Sequence, residues 1–399
     1  TVVVVDHSEL ILRAADRIVE IGPGAGADGG RVEFEGSLEE LIREGTTRTA
    51  DYLTGRREVD PGSPQHREAR GWLSLYGASG HNLKKIDVRF PLGVLCAVTG
   101  VSGAGKSTLI HQTLYAELRR RMGKAGPKPL PLDRLEGSEQ LDEVVWIDRQ
   151  PPAQVARSNP ATYARVFGEI RRVFAETVDA RIHNYTAGDF SFNVEGGRCE
   201  ECKGEGSLTV DMQFLASVRV TCPVCQGRRF RERILEVTYR GKNIAEVLEM
   251  TVAEAFRFFR GERKVQARLQ RLMDVRLDYL RLGQPLETLS SGEGQRLKLA
   301  GHLAASARGR TLFLLEEPSA GLHDADLVKL LDCFDSLLAV GHSLIMIEHH
   351  PKLIRAADYV IDLGPGAAEN GGTLVVAGTP QEVAACPTSL TGRWLRYPS

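Results

Sequence analysis

One short run sets the strongest limit on what this chain can fold into. Gly100-Val101-Ser102-Gly103-Ala104-Gly105-Lys106-Ser107 matches G-x-x-x-x-G-K-[ST]. The apolar run Leu92 to Val98 before it has strand character, and Ser107 to Leu118 after it carries helical periodicity. A glycine-rich turn between a strand and a helix lets backbone N–H groups wrap phosphate at the helix N-terminus. Gly100, Gly103 and Gly105 supply the turn, Lys106 the charge for phosphate oxygens, and Ser107, with Thr108 beside it, a hydroxyl for Mg2+. The ligands this implies are ATP and Mg2+. Further short apolar runs, Thr311 to Leu315 and Ser343 to Ile347, each lead to an acidic residue, so the expected fold is α/β with a mostly parallel sheet.

A second constraint is an internal repeat. Arg13-Ala14-Ala15-Asp16, Ile21-Gly22-Pro23-Gly24, Gly29-Gly30 and Gly36 return as Arg355-Ala356-Ala357-Asp358, Leu363-Gly364-Pro365-Gly366, Gly371-Gly372 and Gly378, always offset by 342. His7 and His349 keep the same offset. So long a period, unlike the short periods of solenoids, implies a duplicated domain. The expected organisation is residues 1–43 as the C-terminal tail of a first copy, with a polar linker over 44–72. The second copy begins with a phosphate-loop part at 73–117, continues through an insertion and signature region at 118–285, and closes with 286–399. The chain opens Thr1-Val2-Val3-Val4-Val5 without a charged leader, so no signal peptide is expected.

Leu289-Ser290-Ser291-Gly292-Glu293-Gly294-Gln295-Arg296 resembles the signature of ABC-type ATPases, although alone it is an ordinary capped helix start. Context favours the signature. Thr311 to Leu315 ends in Glu316-Glu317, as a Walker B strand ends in carboxylates for Mg2+ and for the attacking water. Ser319-Ala320-Gly321-Leu322-His323 resembles a D-loop, and Glu348-His349 a switch histidine.

Cys199-x-x-Cys202 and Cys222-x-x-Cys225, with 19 residues between them, have the spacing of a closed tetrahedral Zn2+ site, in a module at about 195–233. Two disulfides are the alternative, and they need an oxidising compartment. Seven cysteines in 399 residues are an odd number and too few for a disulfide scaffold, which points to the cytoplasm. Arg228, Arg229 and Arg231 follow the second turn and are candidates for DNA phosphate; the bland reading is a solvated face. Lys+Arg 51 against Asp+Glu 52 leaves no global positive field, so any nucleic-acid contact must be local. No run is long and apolar enough for a membrane span.

With these motifs in order, the chain resembles the C-terminal portion of the UvrA family of excinuclease proteins. Gly77-Ala78, Asn82-Leu83-Lys84 and Arg157-Ser158-Asn159-Pro160-Ala161-Thr162-Tyr163 add to the likeness, as does a zinc module between phosphate loop and signature. The resemblance implies an ABC-type P-loop ATPase domain with an inserted helical signature region. It also implies a dimeric sensor of lesion-bearing double-stranded DNA in nucleotide excision repair, which hands the site to UvrB. Lys106 and Ser107 would hold nucleotide and Mg2+, Glu316 the metal, Glu317 the water and His349 the γ-phosphate, with Ser290, Gly292 and Glu293 closing an opposed site. The first phosphate loop, the first signature and the UvrB-binding region would lie upstream of Thr1.

Four departures set this chain apart. Glu316 stands for Asp, Ser291 for a signature glycine, Arg149 where a Q-loop glutamine belongs, with Gln150 one place on, and Asp6 for Glu in the first copy. They suggest slow hydrolysis or a divergent paralogue of the drug-resistance type. Three functions follow: a damage sensor, a nucleotide-gated binding protein with little turnover, or a zinc-dependent chaperone-like module, since Cys-x-x-Cys-x-Gly also resembles DnaJ repeats.

Overall fold

A computed structural model describes residues 1–6, 9–23, 29–56, 67–150, 157–210, 218–303 and 309–396. The chain divides into two compact units, the first Thr1–Gln150 with Ala305–Ser399, the second Pro151–Ala304. In chain order the strands are β1 (Ile18–Gly22), β2 (Arg31–Gly36), β3 (Gly71–Gly80), β4 (Leu83–Leu92), β5 (Leu95–Thr99), β6 (Arg134–Glu136) and β7 (Glu143–Ile147). There follow β8 (Ser207–Val210), β9 (Val218–Thr221), β10 (Thr311–Glu316), β11 (Ser343–Ile347), β12 (Tyr359–Gly364) and β13 (Thr373–Gly378).

The first unit is built on a six-stranded sheet of order β13-β12-β5-β11-β10-β7, parallel throughout except at β13. Every residue of β5 and β11 is buried, which is how parallel strands covered on both faces read in sequence: as unbroken apolar runs. Burying one such Leu or Ile contributes roughly 1.5–3 kcal/mol, so these strands fix the sheet's order more firmly than its edges do. Beside it lies an antiparallel sheet of order β4-β3-β6. Along β4, Ile86, Val88 and Phe90 are buried while Asp87 and Arg89 are exposed, the alternation of a strand with one wet face.

Two expectations need correction here. The run Leu92 to Val98 is not one strand: it breaks at Gly93, whose φ of 76° turns the chain from β4 into β5 and so into a different sheet. The insertion does not begin at 118 either. Residues 134–136 and 143–147 are β6 and β7, strands of the two sheets of the first unit, and the second unit starts at Pro151.

The repeat is structural as well as textual. β1 and β2 pair antiparallel with Ile18 opposite Gly36 and a bulge after Glu20; β12 and β13 pair with Val360 opposite Gly378 and a bulge after Asp362, each position 342 later. Ser37 and Thr379 both cap the next helix with a reciprocal carboxylate, Glu40 and Glu382. The correspondence runs past the expected boundary at 43. Helix Arg48–Leu53 matches Leu390–Arg396, and Thr49 bonds Glu20 as Thr391 bonds Asp362. Residues 44–53 therefore belong to the repeat; within the expected linker, 57–66 lie outside the described residues.

The second unit is mostly helical. Helix Val166–Ala175 buries Val166, Phe167, Ile170, Val173 and Phe174 on one face, and Phe190 and Phe192 complete the core, Phe192 stacking on Phe167 at 4.7 Å. The antiparallel pair β8–β9 carries the cysteine module. Among the described residues, no helix is long and apolar enough to cross a membrane.

Candidate functional site

The phosphate loop leaves the carboxyl end of β5, the strand flanked by β11 and β12. Gly100 has φ of 128°, and a Cβ there would overlap the Leu363 carbonyl oxygen, so the sharp turn requires glycine. The Asn82 amide donates to Gly103 O at 2.9 Å, tying the β3–β4 turn to the loop, a role that nothing in the local sequence signals. Lys106 is 7 % exposed and donates from Nζ to Gly100 O at 2.8 Å and Val101 O at 2.9 Å. Burial lowers its pKa, with Glu317 and Asp362 acting in opposition. Ser107 is exposed at the start of the following helix and Thr108 half-buried. That helix is not the expected α-helix over 107–118: Thr108–Tyr115 is a π-helix, in which Thr113 Oγ1 donates to Thr108 O at 2.8 Å, and α-helix resumes at Ala116.

The other motifs emerge at the same edge of this sheet. Leu312 to Leu315 of β10 are buried, Glu316 is half-buried, and Glu317 follows at φ 44°, a left-handed conformation costly for a non-glycine residue. Its N–H donates to Ile347 O on β11 at 2.9 Å, which fixes the turn. His349 stands one residue beyond Glu348, past the end of β11; its ring lies open to solvent, yet the protein around it and then Lys106 lower its pKa, favouring the neutral form.

Glu348, in sequence merely the residue before His349, has more to do in the structure. It is 1 % exposed; Oε1 accepts Ser319 N–H at 2.9 Å, and Oε2 accepts the N–H groups of His349 at 2.5 Å and His350 at 3.0 Å. One buried carboxylate thus holds the D-loop-like turn and the histidine loop together. Gln150 is exposed, and its N–H bonds Asp148 Oδ1 at 3.0 Å. The residue that reaches the Walker B carboxylate is instead Arg149, Nη1 donating to Glu317 Oε2 at 3.2 Å.

Within the second unit, the signature-like run opens helix Ser291–Leu303. Ser290 N–H donates to Glu293 Oε2 at 2.8 Å and Glu293 N–H to Ser290 Oγ at 3.3 Å, a capping box. Tyr279 OH donates to Glu293 Oε1 at 2.8 Å, and buried Arg296 donates to Tyr279 OH at 3.2 Å. Glu293, expected to face nucleotide, gives one carboxylate oxygen to its own helix start and the other to Tyr279. Ser290 is exposed and Gly292 buried.

Cys199, Cys202, Cys222 and Cys225 are all buried, and their Sγ atoms lie within 4.8 Å of one another. Sγ separations of 4.0 Å (Cys199–Cys222) and 3.5 Å (Cys202–Cys225) exclude disulfides and bracket the edge of about 3.8 Å that a tetrahedron with Zn–S bonds of about 2.3 Å requires. The donor set fits Zn2+. Gly206 N–H reaches Cys202 Sγ at 3.2 Å, and the Gly204 N–H also acts on that thiol. Burial pushes the Cys225 thiol up to about 12 and raises Cys202 too; at Cys222 burial is outweighed by N–H groups of Cys225 and Val224, and its pKa falls.

The arginines expected to meet DNA phosphate all contact this module or its surroundings. Arg229 turns inward, donating to Gly283 O at 3.0 Å and lying 5.4 Å over the Phe192 ring, and burial lowers its pKa. Arg228 pairs with Glu232 at 3.0 Å, and Arg231 with Glu200. Alternation in Arg-Arg-x-Arg gives no sign of which guanidinium points inward.

A glycine loop that can take phosphate only at the end of a central strand, with two acidic turns leaving the next strands at the same edge, defines the nucleotide-binding fold of ABC-type P-loop ATPases. Known proteins narrow this further. The chain is 46% identical over 396 residues to UvrABC system protein A of Aquifex aeolicus, covering 99% of this chain and 43% of that protein. It is 49% identical over 385 residues to the Thermus thermophilus protein of that name, covering 96% and 40%. UvrA2 from Deinococcus radiodurans superposes with a TM-score of 0.89 at 45% identity, over 98% of this chain and 47% of that one. No protein-family model matches the chain. The chain belongs to the UvrA family as a portion of it, spanning less than half the length of these relatives.

Proposed function

We propose that this chain is the ATP-hydrolysing, DNA-damage-recognising part of a nucleotide excision repair protein. The observation that carries the reading is the convergence of phosphate loop, Glu316-Glu317 and Glu348-His349 at one edge of one sheet, in a chain homologous to UvrA. In this reading Gly100, Gly103, Gly105, Lys106, Ser107 and Thr108 hold the phosphates. Ser107 and Glu316 hold Mg2+, which when bound neutralises charge between phosphate oxygens. Glu317 orients the water, His349, neutral at pH 7, donates toward the γ-phosphate, and Ser290 with Gly292 closes an opposed site. Zn2+ on the four cysteines serves structure, since four thiolates leave no open position. Residues 1–53 form the tail of a first ATPase copy, 67–150 with 309–396 the second, and 157–303 an inserted signature region.

The partners are lesion-bearing duplex DNA and a second copy of the chain, and the compartment is the cytoplasm. Lesions differ chemically, so recognition rests on deformability and backbone geometry. Fluorescence anisotropy on matched intact and lesion-bearing duplexes, with and without ATP and at two salt concentrations, tests this. Lesion preference that shifts with ATP supports it, and equal binding under all conditions refutes it. Lys106→Ala is expected to abolish ATP binding. A second reading, a nucleotide-gated binder with little turnover, draws support from the Arg149–Glu317 ion pair.

A further inference from the structure

In the parallel pairing of β10 with β7, Leu315 lies opposite Ile147. Two residues beyond each, at the edge where the phosphate loop also emerges, stand Glu317 and Arg149, joined at 3.2 Å. Strand register alone brings them side by side, and the Glu317 turn is pinned by its N–H bond to Ile347 O. Lys106 lies close enough to sense the Glu317 charge, but its ammonium donates to Gly100 O and Val101 O rather than to that carboxylate. Among the described residues, Arg149 is therefore the cation in direct contact with the Glu317 carboxylate.

We propose that Arg149 is a positioning residue that acts as a brake on Glu317. The inference rests on the ATPase reading above. A carboxylate oxygen that accepts from a guanidinium is drawn away from an incoming water and holds less negative charge with which to orient it. Nucleotide phosphates bring competing negative charge to the same edge, and guanidinium binds phosphate as readily as carboxylate. Arg149 then releases Glu317 only when nucleotide is in place, and only in part. Turnover is slow because the contact is regained each cycle.

The test uses the full 399-residue chain with Arg149→Gln and Arg149→Lys, following steady-state ATP hydrolysis, MgATP affinity by titration calorimetry, and ionic strength. Arg149→Gln is expected to raise kcat about two- to fivefold, the range an exposed ion pair permits, with affinity within about twofold. Arg149→Lys, a point charge without the planar fork, gives an intermediate rise. Raising ionic strength from about 0.05 to 0.3 M screens the pair and speeds the wild-type chain while leaving Arg149→Gln unmoved, a response a purely structural role would not show. An unchanged or lower kcat in Arg149→Gln overturns the brake, as does ATP binding without turnover in every variant. Absence of ATP binding by the wild-type chain overturns instead the ATPase reading on which it rests.

Discussion

Buried polar side chains at the sheet's edge respond to substitution in ways set by what each one touches. His342 is 6 % exposed, and its Nδ1 accepts Thr311 N–H at 3.3 Å, which only the neutral ring can do. Burial lowers its pKa below 6.5, so the unfolded chain binds the proton more readily than the folded one. The stability this group contributes is complete above pH 6.5 and is lost as pH falls from there through the folded value. A urea midpoint that declines from pH 7 to pH 5, with a shallower decline in His342→Asn, is the expected outcome. Glu348→Gln keeps one acceptor oxygen but sets an amide donor against either the Ser319 N–H or those of His349 and His350. A loss of roughly 1–3 kcal/mol in unfolding free energy is expected, with kcat falling further than MgATP affinity because both loops held by Glu348 shift.

The cysteine module makes its own demand at the scale of the element. Two of the four clustered thiols, Cys202 and Cys225, are raised by burial and so keep their protons without metal, and loading Zn2+ must release them. Zinc retention should weaken as pH falls, read by a chromogenic chelator. Cys225→Ser should lower stoichiometry from one Zn2+ per chain toward none, and hydrogen exchange should then rise across 199–230, including the Arg229 amide region. The other elements show how far pattern alone reaches. Apolar runs ending in acid marked β10 and β11 because buried parallel strands are continuous apolar text. The same rule merged β4 with β5, since only the φ of Gly93 divides them, and it passed over β7, whose Glu-Val-Val-Trp-Ile becomes a strand by pairing with β10.

For the whole molecule, ligand linkage separates the two units. MgATP binding only the folded first unit stabilises it by about 2.7 kcal/mol at a hundredfold excess over Kd, a Tm rise of roughly 5–10 °C for a unit of this size. Differential scanning calorimetry should show that shift, and Lys106→Ala should erase it. Chelation of Zn2+ should instead lower the transition of the second unit. The repeat adds a structural equivalence, in which Glu20 with Thr49 corresponds to Asp362 with Thr391. Asp362 is 2 % exposed and also accepts from Thr99 and Ser389, so Asp362→Ala leaves three hydroxyls unpaired and should cost several kcal/mol.

Sequence by itself determined the chemistry carried at fixed spacing: the phosphate loop, the paired acids, four cysteines in two turns, and a repeat of constant offset. Those are local or periodic, since a glycine turn, a chelate or a duplicated segment is written within the residues that form it. Tertiary structure alone decided which partner each side chain meets. Tertiary packing set Arg149 rather than Gln150 on Glu317, turned Arg229 toward Phe192, divided the oxygens of Glu293 between a helix cap and Tyr279, and closed Glu348 around two loops. Such contacts join residues far apart in the chain, and their energies depend on burial and register, which arise only when the sheet is assembled.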